Sequence, residues 1–141
     1  MVAVSACLLG LNCRYDGKNK RNEDLLHKLK CYEVVPFCPE VNILGSPRET
    51  IDLFLIENEI LAIGSDSKRD FTKLLENEAQ RFYNSFSEVD IFYFKSKSPS
   101  CALKSAKIYD KDYNLCNEKG MGIFAKKIKE LYSEAKFVEV R

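Results

Sequence analysis

VDIFYFKSKSPSC (residues 89–101) passes from an apolar run, broken only by Asp90, into a polar loop that ends on a thiol. Its β-branched and aromatic residues predict a buried strand over 89–94. Two other apolar runs end in the same way. Residues 2–6 read as a short first strand, too uniformly apolar for a surface position, and lead into Cys7. Residues 32–37 read as a second strand and lead into Cys38, with Pro36 confined to that strand's end or to a sheet edge because it lacks an amide donor. In a parallel α/β sheet, the carboxyl ends of strands open into one crevice. The three thiols are therefore expected to meet there.

The segments between these strands read mostly as helices. Asn22 is placed to cap a helix that carries Leu25, Leu26 and Leu29 on one face. From Phe71, apolar residues recur at Leu74, Leu75, Ala79, Phe82, Tyr83 and Phe86, which is helical spacing with a wide buried stripe. A last helix carries Met121, Phe124, Ile128, Leu131 and Tyr132. Residues 51–63 hold two apolar stretches around Glu57-Asn58-Glu59 and predict a β-hairpin. Short strands are expected over 106–109 and 137–140, and a turn at Gly45-Ser46-Pro47-Arg48. Strands alternating with helices predict a three-layer α/β domain, a mostly parallel sheet flanked by helices plus the hairpin, with residues 1–141 forming one domain.

Composition narrows the function classes. The chain has 141 residues, 45% apolar and 30% charged, as in an ordinary globular protein rather than a disordered or membrane one. Its 22 basic and 21 acidic side chains give a formal net charge of +1, which offers no broad basic face for nucleic acid. The apolar runs are far shorter than a membrane span, and residues 2–11 lack the flanks of a secretory signal. A cytoplasmic protein is expected, without nucleic-acid or membrane partners, acting as a monomer or homodimer. Six cysteines in that setting read as thiols, metal ligands or redox groups rather than as a disulfide framework.

Taken singly, Cys7, Cys38 and Cys101 each read as a buried core thiol. Their shared position after three apolar runs points instead to a metal or iron–sulfur site, and a set of three leaves one coordination position open. Zinc would fit such a set as well as iron. Cys13, in the Arg14-Tyr15-Asp16-Gly17 turn region, either supports the ligands or packs against the loop. Cys31 opens the second strand at the end opposite Cys38 and reads as structural, and Cys116 falls in a late loop with no evident partners. The lone histidine, His27, lies on the first helix away from Cys7, Cys38 and Cys101, so a general base must come from elsewhere. Glu40, two residues beyond Cys38, is the candidate, with a turn cap or a lysine pair as the alternative role. Arg14, Asp16 and Arg48 are candidates for lining a substrate pocket, and equally for turn-building or ion-pairing. Without metal chemistry, the same loops would make a small-molecule-binding module whose thiols are merely buried.

The segments SACLLGLNCRYDG (5–17), PFCPE (36–40), GSPRE (45–49), KSKSPSC (95–101) and KIYD (107–110), in this order, resemble a prokaryotic family of thiouracil desulfidase-like proteins, formerly a domain of unknown function. The resemblance implies an α/β fold and a 4Fe–4S cluster held by Cys7, Cys38 and Cys101 with one iron left open. It also implies catalytic roles for Ser98 and Glu40. The implied activity is a non-redox desulfidase that converts C=S to C=O in a thiolated base such as thiouracil, or a related thioamide, with the sulfur captured on the open iron. Here the segment before the Pro-Arg turn is VNILGSPRE, where relatives commonly have a Gly-Gly pair, and Ala102 follows SPSC where many have glycine. Both departures lie in loops near the expected pocket and bear on the choice of substrate.

Overall fold

In the computed structural model, which describes every residue from Met1 to Arg141, the strands divide between two four-stranded sheets. The first holds β1 (Val2–Ser5), β2 (Val34–Phe37), β5 (Ile91–Lys95) and β8 (Lys136–Val140) in the order β2-β1-β5-β8. All three of its pairings are parallel. The chain leaves β1 to one side for β2 and returns on the other for β5, so the carboxyl end of β1 is a topological switch point, where α/β sheets bind ligands. Pro36 lies on β2, which is an edge strand, as its missing donor requires.

The second sheet contains the predicted hairpin, β3 (Ile51–Ile56) and β4 (Glu59–Gly64), whose turn residues Glu57 and Asn58 both have positive φ. It continues through β6 (Ala106–Tyr109), parallel to β3, and β7 (Leu115–Gly120), antiparallel to β6. The parallel sheet flanked by helices and the separate hairpin are as the sequence pattern predicts, whereas the strand β7 is not predicted and is a correction. The β7 sequence, LCNEKG, has no apolar alternation because all but the terminal glycine are exposed. Cys116 therefore lies in a strand rather than in a loop.

Four helices complete the chain: α1 (Glu23–Lys28), α2 (Pro39–Leu44), α3 (Thr72–Ser85) and α4 (Ile123–Leu131). The Asn22 side chain accepts from the Leu25 amide, which caps α1 as its position predicts. Leu25 and Leu29 pack with Val2, Val4 and Tyr93 on one face of the parallel sheet. On the other face, Phe92, Phe94 and Phe37 pack against Phe82 of α3 and Phe124 of α4. Helices on both faces of this sheet are the three expected layers. The same α3–α4 pair also covers the second sheet, where Phe71, Leu75 and Ile123 meet Ile51, Leu53 and Ile108. No helix is long and apolar enough to cross a membrane.

Candidate active site

Cys7 follows β1, Cys38 follows β2, and Cys101 ends the loop after β5, so the three thiols come from adjacent strands of one parallel sheet. Each is delivered by a local feature. Gly10, at φ +92°, ends the short 3-10 turn Ala6–Leu9 and folds the chain back above Cys7. Cys38 is the N-cap of α2, with Pro39 at the first helical position and Glu40 in the first turn. Cys101 sits in a loop built on Ser98, whose Oγ accepts from the amides of Ser100 (3.1 Å) and Cys101 (3.0 Å).

That loop rests on the start of α4. The Gly122 amide donates to Ala102 O at 2.7 Å, Ile123 to Pro99 O at 3.0 Å and Ala125 to Ser100 O at 2.9 Å. Gly122 has no room for a side chain, since a Cβ there would lie 2.3 Å from the Ser100 carbonyl carbon. Gly122→Ala is therefore expected to cost about 2 kcal/mol of stability through overpacking, read as a lower midpoint in urea unfolding.

A cavity of about 1070 Å³ opens over these strand ends. Cys7, Cys13, Cys38, Glu40, Ser98 and Cys101 all line it. Four thiols thus share one space, and Cys13 both lines it and packs in the core beneath. Cys38 Sγ donates to Cys13 O at 3.7 Å. The neighbouring Cys13 thiol holds Cys7 below the usual thiol range against the opposing effect of burial, and Lys95 adds to that stabilisation. For Cys13 itself, the Cys38 thiol pulls downward, but the Cys7 thiol and burial outweigh it and push it up to about 11. The Cys13 thiol and burial raise Cys38. Burial, with the charges of Cys38 and Glu40, raises Cys101, while the Ser5 and Ser98 hydroxyls stabilise its thiolate.

Glu40 is bonded at both oxygens. Arg48 Nε donates to Oε1 at 3.5 Å and Ser100 Oγ donates to Oε2 at 2.8 Å. The Arg48 and Glu40 side chains are only 6% and 11% exposed. Arg48 also donates through Nη1 to Cys13 O (2.6 Å) and Gly45 O (3.0 Å), and Ser46 Oγ donates to Arg14 O at 2.6 Å. These bonds tie the Gly45–Arg48 turn to the loop after Cys13, so Arg48 braces the wall that carries Glu40. Arg14 lines the cavity with Lys20, Lys95, Lys97 and Lys104, and cations outnumber carboxylates around it. Burial, reinforced by the charges of Arg14, Lys20 and Lys97, lowers Lys95. Asp16 is not brought to the cavity. It is exposed, and its carboxylate accepts the Lys18 amide in a turn. His27, Cys31 and Cys116 are exposed and outside the cavity lining. Ser100 has no signal in the sequence, because nothing local links it to a residue sixty positions earlier.

A family model described as 2-thiouracil desulfurase matches residues 2–139. The chain belongs to the 2-thiouracil desulfurase family. Among its relatives, the Bacillus subtilis (strain 168) protein YbbK, itself uncharacterized, is 29% identical over 140 residues, covering 92% of this chain and 90% of its own. A solved structure, the [4Fe-4S]-dependent thiouracil desulfidase TudS, superposes with a TM-score of 0.74 at 26% identity. The match covers 98% of this chain and 89% of that one.

The donor set at the strand ends suits a soft metal centre, because buried thiolates select iron–sulfur clusters, copper(I) or zinc. Cys7, Cys38 and Cys101 line one cavity, and no three His, Cys, Asp or Glu side chains in the chain are grouped closely enough to hold a single ion.

Proposed function

We propose that this member of the desulfurase family is a [4Fe–4S]-dependent, non-redox desulfidase that hydrolyses the thiocarbonyl of a thiolated base such as thiouracil, or of a related thioamide. The observation that carries this reading is the meeting of three strand-end thiols and one buried carboxylate in a single cavity at the switch point of the parallel sheet. The resemblance to TudS, which carries [4Fe-4S] dependence in its name, supports the same reading. Cys7, Cys38 and Cys101 would hold the cluster, which supplies a thiophilic Lewis acid with an open coordination position.

The remaining work falls to the chain's own side chains. Glu40 accepts a proton from the water that adds to the thiocarbonyl carbon. Loss of sulfur then leaves a carbonyl. One thiocarbonyl and one water become one carbonyl and one hydrogen sulfide, with no net electron transfer. The Ser98 oxygen already accepts two loop amides, which leaves its hydroxyl proton free to serve Cys101 or the departing sulfur. The cationic lining favours a substrate whose sulfur gains negative charge as the C–S bond polarises. No acidic cluster opposes it.

The test is anaerobic reconstitution with iron and sulfide, followed by incubation with 2-thiouracil. A brown protein that removes the thiocarbonyl absorbance and releases hydrogen sulfide is expected. A colourless protein that binds 2-thiouracil without converting it would instead make the cavity a binding module.

A further inference from the structure

We propose that Ser100 is a positioning residue that fixes the Glu40 carboxylate for proton transfer, an inference that rests on the desulfidase reading of the site. Ser100 is fully buried and donates its one hydroxyl proton to Glu40 Oε2 at 2.8 Å. With that proton committed and no exposed surface, Ser100 cannot meet a substrate directly. It acts through Glu40.

The two serines of the loop divide the labour. The oxygen of Ser98 builds the loop by accepting the amides of Ser100 and Cys101. Ser100 reaches the opposite wall of the cavity, the first turn of α2. Its backbone is held on both sides, by Ser98 Oγ at its amide and by the Ala125 amide at its carbonyl. The hydroxyl is thus aimed from a fixed platform. Arg48 holds the other carboxylate oxygen from a third segment and is itself anchored on two backbone carbonyls. A carboxylate held at Oε1 and Oε2 by two braced donors has one orientation, and only its remaining lone pairs face the cavity. Removal of the Ser100 hydroxyl leaves Oε2 buried without a donor, and the carboxylate gains by turning toward the lysine-rich lining.

Proton transfer depends on heavy-atom placement to within fractions of an ångström, and small misplacements are costly. In the iron-loaded protein, Ser100→Ala is expected to lower kcat by about ten- to hundredfold. KM and iron content should stay unchanged, because Ser100 touches neither the substrate nor the ligands' sulfur atoms. In a Glu40→Gln background the same substitution is expected to add nothing to the loss. A crystal structure of Ser100→Ala should show the Glu40 carboxylate displaced from Arg48. The proposal is overturned if the carboxylate stays in place, or if Ser100→Ala lowers kcat by the same factor with and without Glu40. If the loaded wild-type protein converts no thiolated base, the desulfidase reading fails. The crystallographic comparison still decides whether Ser100 fixes Glu40.

Discussion

Cys38→Ser is expected to yield a colourless protein with almost no bound iron and no release of sulfide from 2-thiouracil. Cys38 follows β2, beside the central strand β1, is the N-cap residue of α2, and lines the cavity with Cys7 and Glu40. Three thiolates are the whole soft donor set proposed for the cluster. A serine alkoxide is a harder and far more basic ligand, and its alcohol form binds iron weakly. Losing one of three thiolates also frees a second iron corner to solvent, so the effect should be an outright loss rather than a graded one. Iron and sulfide analysis after anaerobic reconstitution reads it directly. Cys31→Ser and Cys116→Ser, both at exposed positions, are the controls and should load fully. A Cys38→Ser protein that still takes up a full complement of iron would remove this residue from the ligand set.

Glu40→Gln carries the second large effect. The amide keeps the shape of the side chain and can still accept from Ser100 through its oxygen, so the fold and the iron content should be retained. Its nitrogen can no longer take a proton and faces the Arg48 guanidinium with a donor instead of an acceptor. Loss of a general base costs about 10²–10⁴ in rate, and a fall of that size in kcat is expected. Single-turnover assays with 2-thiouracil measure it without interference from sulfide release. A Glu40→Gln enzyme that retains a rate close to wild type would move the base to another group in the cavity.

The three proposed ligands are legible because two directly follow apolar runs and the third ends the loop after another, and the physics of parallel sheets collects strand ends in one place. The hairpin is equally legible, since its flanks are β-branched and its centre polar. What stays hidden lacks burial or a capping signal. β7 is exposed along nearly all of its course, and α2, six residues long like α1, lacks the capping side chain that marks α1. The pairing of β6 with β3 is hidden along with β7, because the sequence of β6 does not show which sheet it joins. Arg48 reads in sequence as one of several pocket-lining candidates, whereas the structure places its guanidinium on Glu40 and on two backbone carbonyls. Asp16 reads in the same way, from a turn motif that the structure uses as a turn. Ser100 depends on a contact between the end of β2 and the loop after β5, and no local pattern encodes such a contact.

Every group assigned to chemistry falls between Cys7 and Cys101, yet the wall that presents Ser98, Ser100 and Cys101 is moulded by the amides of Gly122, Ile123 and Ala125. Beyond Cys101 the chain adds lining residues such as Lys104 but none of the proposed ligands or acid–base groups, and it serves the centre as scaffolding. A shortened protein ending soon after Cys101 would contain the full set of proposed ligands, acid–base groups and braces. It would still have no mould in which to cast them.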